Sequence, residues 1–169
     1  MRSPTWRVPV ALLAAVAAAS AVAADRSALV GQNAPDFALR QINGPNVRLS
    51  EQLGDVIVLA FWSSRCNPCR AHLAELEQLY AGLRDQGLIV YGINVDDNIR
   101  AAREFGAAQR VRFPLLLDPA KQVARAYRVD ALPLMVTIDR RGIVRTIRRD
   151  AKTDAPRLAA NEIRQLLAE

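Results

Sequence analysis

The two cysteines are the residues whose type and spacing point most directly to chemistry. Cys66 and Cys69 form a Cys-x-x-Cys motif, and they are the only cysteines among 169 residues. The motif follows a continuous apolar run, and Pro68 within it suits the first turn of a helix. We therefore place Cys66 at a helix N-terminus, where free backbone N–H groups and the helix dipole stabilise a thiolate.

This spacing predicts dithiol–disulfide exchange. Side chains three residues apart share a helix face, so the two sulfurs can meet. Cys66 would attack the disulfide of a partner to form a mixed disulfide, and Cys69 would then resolve it. A purely structural disulfide is disfavoured, because so short a loop constrains the unfolded chain very little. A zinc site is also disfavoured, because it would need two further ligands.

The only histidine, His72, lies three residues after Cys69. Its ordinary pKa of about 6.5 suits proton transfer to and from a buried thiol. An ordinary exposed position on the helix is an equally good interpretation. A Cu(I) site built from Cys66, Cys69 and His72 is a third and weaker alternative.

The N-terminus is typical of a secretory signal peptide, which we assign to residues 1–24. Two arginines precede an apolar segment over residues 8–19, and Ala21-Val22-Ala23 is a cleavage pattern of small residues. An uncleaved membrane anchor is the alternative. Either case predicts a periplasmic or secreted location, where disulfides can form. Residues 25–169 are then one domain, large enough to bury a core.

Composition excludes several classes of protein. The chain is 51% hydrophobic and 24% charged, which is typical of a globular protein and not of a disordered one. The net charge is +6, but only 5% of residues are aromatic. The single basic cluster is Arg145, Arg148 and Arg149. Because few aromatic residues lie among the basic ones, we expect no nucleic-acid partner.

Hydrophobic patterning predicts the strands that must hold this motif. Three continuous apolar runs are typical of strands buried on both faces, namely residues 56–61, 88–95 and 134–138. Shorter strands are predicted around turn signals, at residues 37–39, 47–49, 113–117 and 143–147. Leu132-Pro133 directly precedes one buried strand. A cis bond there is compatible with the sequence, although a trans proline entering a strand is commoner.

Helical spacing alternates with these strands. It predicts helices at residues 67–86, 99–108 and 159–167, and a further one opened by Asp118 as its cap and Pro119 in its first turn. Buried strands that alternate with helices predict a three-layer α/β/α architecture. The closing hairpin at residues 134–147 makes the central sheet mixed.

These motifs together resemble the thioredoxin superfamily. Within it they are most similar to the TlpA-like and ResA-like extracytoplasmic thiol–disulfide oxidoreductases, which are related to the AhpC/TSA redoxins. The resemblance covers about residues 31–169. It is carried by Pro35-Asp36-Phe37, by Phe61-Trp62 before Cys66-Asn67-Pro68-Cys69-Arg70, by Gly92-Ile93-Asn94-Val95-Asp96 and by Leu132-Pro133.

The resemblance implies a thioredoxin fold with an N-terminal β-hairpin and a central insertion near residues 95–127. It gives Cys66 the role of nucleophile, Cys69 that of resolving cysteine, and Pro133 that of the cis-proline facing the motif. It implies no cofactor beyond the redox-active disulfide. The expected partners are a disulfide-containing client protein and a membrane electron donor of the DsbD type, with the chain a monomer. Reduction of clients is the expected direction, and cytochrome c maturation is one pathway among several.

Departures from the family pattern concern proton transfer and the surface of the site. His72 replaces a frequent acidic residue, and Ala60 stands where cytoplasmic thioredoxins have a buried Asp. Arg65 precedes the first cysteine in place of Trp or Thr. A thiol peroxidase is an alternative function, since peroxiredoxins share features of the first half. It is disfavoured because Ser63 occupies the position at which those enzymes need Thr.

Overall fold

The computed structural model describes residues 29–149 and 155–169. The signal peptide predicted at residues 1–24, and the start of the domain at residue 25, lie outside this part of the chain. Within it, none of the helices combines the length and the apolar character needed to cross a membrane.

A seven-stranded mixed sheet forms the centre of the fold. Its strands run along the sheet in the order β2-β1-β5-β4-β3-β6-β7. Strands β3, β4 and β5 are parallel, whereas the β1–β2 and β6–β7 pairs are antiparallel. The strands are β1 (Ala38–Gln41), β2 (Asn46–Arg48), β3 (Val56–Trp62), β4 (Leu88–Asn94), β5 (Leu115–Leu117), β6 (Leu134–Ile138) and β7 (Val144–Arg148).

Helices cover both faces of this sheet. They are α1 (Asn67–Leu83), α2 (Ile99–Ala108), α3 (Gln122–Ala126) and α4 (Ala155–Ala168), with short 3-10 turns at Leu49–Gln52 and Arg84–Gln86. Leu73 of α1, Ala102 of α2 and Ile163 of α4 belong to the same core cluster. Val123 of α3 packs in the cluster on the opposite face. The predicted three-layer α/β/α architecture with a mixed sheet is confirmed.

Strand β3 lies between β4 and β6 and leads directly to the cysteine motif. All of its residues are buried. Val58 and Ala60 face the α1 side, whereas Ile57 and Leu59 face the α3 side. Because both faces are covered, the strand is apolar throughout, as the sequence predicted. It is therefore a rigid support for the residues that follow it.

Element boundaries agree with the sequence in most places, and α2 has the bounds predicted. The first strand begins one residue later than expected, at Ala38. The prediction for the third helix was wrong, because α3 begins at Gln122 and not directly after Asp118. The Asp118 carboxylate instead accepts hydrogen bonds from the backbone N–H groups of Gln122 at 2.9 Å and Ala124 at 2.8 Å. Asp118 therefore stabilises the start of α3 although it lies four residues before the first residue of that helix.

Candidate functional site

Cys66 and Cys69 are joined by a disulfide at the N-terminus of α1. Their sulfurs are 2.02 Å apart. Cys66 is the N-cap residue of α1, as predicted, with Pro68 in the first turn. The Cys66 side chain is partly exposed, whereas Cys69 is buried, with 0% exposure. Cys66 is therefore the cysteine that an incoming thiol or disulfide reaches first.

A tight turn connects the end of β3 to this helix. The Cys66 N–H donates to the Ser63 carbonyl at 3.1 Å, and the Cys69 N–H donates to the Cys66 carbonyl at 3.1 Å. The Ser63 hydroxyl also accepts from the Arg65 N–H at 3.2 Å. These bonds fix the direction in which the chain leaves the sheet, so the disulfide is held at the carboxyl end of β3.

The predicted proline lies at the adjacent strand end. The Leu132–Pro133 peptide bond is cis, as the resemblance implied. Phe61 pairs with Leu134 in the antiparallel register of β3 and β6. One step further along, the same register sets the buried Pro133 beside Trp62, at the start of the active-site turn. The fold therefore brings Pro133 and the cysteines to one end of the sheet.

A buried carboxylate lies directly behind the active-site turn. Asp96, which follows β4, is 5% exposed. It accepts hydrogen bonds from the Ser63 hydroxyl at 2.7 Å, the Ser64 N–H at 2.8 Å and the Asn94 side-chain amide at 2.8 Å. The Asp96 N–H donates to the Asn94 side-chain oxygen at 3.0 Å. The Asp96 side chain thus links the carboxyl ends of the neighbouring parallel strands β3 and β4.

Asp96 is ionised in this setting. Burial alone would raise the pKa of Asp96, but the hydrogen bonds from Asn94, Ser63 and Ser64 outweigh it and lower the pKa below its ordinary value. A negative charge therefore lies within hydrogen-bonding distance of Ser64, two residues before Cys66. Because it is buried, salt screens it little.

His72 lies on α1 one turn beyond Cys69. Its side chain is partly buried, and its Nε2 atom is buried without a hydrogen-bond partner in the described part of the chain. Burial lowers the pKa of His72 to about 4. The imidazole is therefore neutral near pH 7. The sequence left two interpretations of His72 open, a proton-transfer group with an ordinary pKa and an exposed helix residue. The structure agrees with neither, because His72 is partly buried and its pKa is low.

Two arginines border the disulfide. Arg65 and Arg70 are both exposed. The Arg70 guanidinium lies 5.1 Å from the centre of the Phe105 ring, which stacks on Trp62 with a centroid separation of 5.3 Å. This stack joins the first turn of α1 to α2 through the last residue of β3. Arg70 is thereby held in place, while Arg65 extends from the turn.

Sequence reasoning singled out the cysteines, His72 and Pro133 but gave Asp96 no role. A signal was present, because Asn94 and Asp96 are polar residues at the carboxyl end of an otherwise apolar strand. Ligands and reacting groups gather at that end of parallel strands. What the sequence did not contain was the pairing of Asp96 with Ser63 and Ser64, which are more than thirty residues away.

Possible metal ligands and the basic cluster near β7 are the other candidate features of the sequence. Among residues 29–149 and 155–169, no three His, Cys, Asp or Glu side chains are placed to hold a metal ion. The basic cluster predicted near β7 is paired with carboxylates. Arg145 pairs with Asp139 and with Glu169, each at 3.2 Å, Arg148 pairs with Glu162 at 2.8 Å, and Arg149 pairs with Asp130 at 2.9 Å.

Comparison with known proteins gives a consistent picture. The chain matches the AhpC/TSA family over residues 30–147. It is 34% identical over 118 residues to the thiol-disulfide oxidoreductase ResA of Geobacillus kaustophilus, covering 70% of this chain and 68% of that protein. A crystal structure from Chlorobium tepidum, described as a thiol:disulfide interchange protein DsbE, aligns with a TM-score of 0.79 and 32% identity over 82% of this chain and 97% of that one.

A further solved structure supports the same architecture. A protein from Bacteroides thetaiotaomicron, described as a protein disulfide isomerase, aligns with a TM-score of 0.77 and 27% identity over 83% of this chain and 91% of that one. In this chain a partly exposed cysteine caps a helix and is bonded to a buried one, an arrangement suited to dithiol exchange. The chain belongs to the AhpC/TSA family and is a ResA/TlpA-like thiol–disulfide oxidoreductase with the thioredoxin fold.

Proposed function

We propose that this chain reduces disulfides of client proteins outside the cytoplasm. The Cys66 thiolate attacks a client disulfide, forms a mixed disulfide and releases one client thiolate. The Cys69 thiolate then attacks the Cys66 sulfur, which closes the Cys66–Cys69 disulfide and releases the second client thiol. Two electrons pass from the chain to the client in each cycle.

The buried charge of Asp96 is the observation that favours reduction over oxidation. A strongly oxidising dithiol needs a strongly stabilised thiolate, because that stabilises its reduced form. The Asp96 carboxylate lies behind the turn that carries Cys66 and disfavours a second negative charge nearby, so a thiolate at Cys66 is stabilised less. The arginines at 65 and 70 act in the opposite sense, but they are exposed and solvent screens them. The net effect is a more reducing pair.

The remaining parts of the proposal concern location and partners. The N-terminal segment supports export, and the chemistry of exchange needs no cofactor beyond the cysteine pair. Re-reduction would come from a membrane dithiol donor of the DsbD type, acting on a monomer of this chain. Cytochrome c maturation is one pathway that uses such a reductant. Pro133, at the edge beside the cysteines, would contact the client backbone.

Neither of the two alternatives from the sequence gains a supporting observation. Tight binding of one equivalent of Cu(I) by the reduced chain would be the observation that favours the first of them. A peroxidase would need a peroxide-binding environment around Cys66. The residue at the relevant position, Ser63, has its hydroxyl engaged with Asp96.

The reduction potential of the cysteine pair tests the proposed direction. We expect equilibration of the full chain with glutathione buffers to give a value of about −270 mV, as for thioredoxin. The fraction oxidised can be followed by alkylation and mass spectrometry. A value of about −120 mV would mean that the chain is an oxidant and would overturn the proposal.

His72 enters this proposal as a neutral group beside Cys69. A proton acceptor for a thiol of ordinary pKa, about 8.5, should have a comparable pKa, whereas that of His72 is about 4. An imidazole with so low a pKa does not keep a proton taken from the Cys69 thiol at equilibrium. We therefore assign His72 no role as the resting proton acceptor of Cys69.

Replacing His72 by glutamine is expected to flatten the pH dependence of stability between pH 7 and pH 5. The pKa of His72 is about 4 in the folded chain and about 6.5 when unfolded. The unfolded chain therefore binds more protons between these values, and the wild type loses stability as the pH falls through this range. Urea denaturation at pH 7 and pH 5 measures the difference.

The same variant tests the kinetic role of His72. We expect the pH profile of thiol alkylation and of mixed-disulfide resolution to stay unchanged. A resolution step that slows markedly, or an apparent thiol pKa that rises, would restore His72 as the proton relay. Glutamine is preferred to alanine here because it keeps a polar side chain of similar size at the partly buried position.

A further inference from the structure

Within the part of the chain that the structure describes, the two arginines that border the disulfide have no acidic partner. Arg65 immediately precedes Cys66, and Arg70 immediately follows Cys69. Both side chains are exposed, and neither makes an ion pair with any of residues 29–149 or 155–169. Arg149, directly after β7, is by contrast paired with Asp130 at 2.9 Å. The positive charges of Arg65 and Arg70 are therefore available to interact with a bound molecule.

Arg70 is held in position by aromatic packing. Its guanidinium lies over Phe105, and Phe105 stacks on the buried Trp62. A contact of this kind attracts the guanidinium to the face of the ring and limits the rotamers of the arginine. The charge of Arg70 is consequently fixed beside α1. A cation that is already ordered loses less side-chain entropy when it binds a carboxylate.

The carboxylates at this end of the sheet are already engaged. Asp96 is buried and accepts three hydrogen bonds. The neighbouring Asp97 forms an ion pair with Lys121 at 2.9 Å. Neither is free to neutralise Arg65 or Arg70. Neither carboxylate forms an ion pair with Arg65 or Arg70, so within the described residues both guanidinium groups stay available to a carboxylate of a bound client.

From this arrangement we infer that Arg65 and Arg70 select clients that carry Asp or Glu next to the disulfide being reduced. The inference rests on the proposed reduction of protein disulfides. In the mixed disulfide the client cysteine and Cys66 are covalently joined, with their Cα atoms about 5.5–6 Å apart. Residues that flank the client cysteine must therefore lie close to those that flank Cys66. Acidic residues there would form ion pairs with the two arginines, and lysines would be repelled.

Three disulfide-bridged peptides of equal length provide the test, with Asp, Ser or Lys at the positions beside their cysteines. The full chain is reduced, and the rate constant for reduction of each peptide is measured by stopped-flow tryptophan fluorescence or by quenched alkylation. We expect the Asp peptide to react about three- to tenfold faster than the Lys peptide at an ionic strength of about 0.01 M. The ratio should approach one at about 1 M salt, where the Debye length is about 3 Å.

Substitution shows whether these arginines cause the preference. In Arg65→Gln and Arg70→Gln the ratio of Asp to Lys rates should fall, and in the double variant it should come close to one. Effects on the reactivity of Cys66 itself change all three rates alike and cancel in the ratio. Arg84→Gln is the matched control, because Arg84 is at the far end of α1, about 25 Å away at 1.5 Å per residue. It should keep the wild-type ratio.

The outcomes separate this inference from the proposed function. Equal rates for the Asp and Lys peptides at low salt would overturn the inference, while reduction of the Ser peptide would leave the proposed reductase intact. A charge preference that survives in the double variant would also overturn it. Failure to reduce any of the three peptides would remove both proposals.

Discussion

Replacing Cys66 by serine is expected to abolish reduction of insulin by this chain in the presence of dithiothreitol. Cys66 is the partly exposed sulfur and caps α1, so it is the atom that can attack an incoming disulfide. A serine hydroxyl is not ionised near pH 7 and cannot form a mixed disulfide. Turbidity from precipitated insulin chains should rise no faster than with dithiothreitol alone.

Cys69→Ser is the matched comparison, since it removes the other sulfur of the same bond. Cys69 is buried, so this variant should still attack but should fail to resolve. It should accumulate a mixed disulfide through Cys66 that survives acid quenching and separates on a non-reducing gel. Insulin reduction that persists in Cys66→Ser, or a mixed disulfide that forms through the sulfur at position 69, would show that the roles of the two cysteines are wrongly assigned.

The parts of this site that follow from local pattern could be predicted from the sequence. Strand β3 is apolar throughout because it is buried on both faces, and that pattern is visible without a structure. Pro68 and the preceding strand together placed Cys66 at a helix N-terminus, which is where it lies. The cis bond before Pro133 needed the family resemblance, because the sequence alone favoured the trans form.

Contacts between distant segments could not be predicted in the same way. Asp118 was expected to begin a helix directly, since Asp followed by Pro is a common helix start. Its carboxylate instead reaches the N–H groups of Gln122 and Ala124 across an intervening turn. Burial of His72 depends on tertiary packing around α1, and the spacing of residues along the helix does not predict it. Asp96 is the largest omission, because its role arises only when β3 and β4 lie side by side.

Replacing Asp96 by alanine is expected to destabilise the fold by about 3 kcal/mol, because buried donors lose their acceptor. The Ser63 hydroxyl, the Ser64 N–H and the Asn94 amide all donate to this carboxylate. The active-site turn should lose its fixed geometry as well, so insulin reduction should slow even where the variant is fully folded. Urea denaturation at pH 7 gives the stability, and activity at low urea gives the second readout.

The adjacent Asp97 supplies the control. It also follows β4 and forms an ion pair with Lys121, but that pair is exposed. Asp97→Ala should therefore cost less than about 1 kcal/mol and leave insulin reduction unchanged. A similar loss of stability in both variants would mean that the network behind the turn contributes no more than a surface ion pair.

The Asp96 contribution should also depend on pH in a defined direction. Because its hydrogen bonds lower the pKa of Asp96 in the folded chain, the carboxylate stabilises the fold above its unfolded pKa of about 3.9. That stability is lost as the pH falls through the lower, folded value. The difference between wild type and Asp96→Ala should be constant from pH 7 to about pH 5 and should shrink below about pH 4. Asp36 and Asp139, whose pKa values are also lowered, titrate in both proteins and do not affect this difference. A difference that stays constant down to pH 2 would show that the ionised form of Asp96 is not what holds the turn.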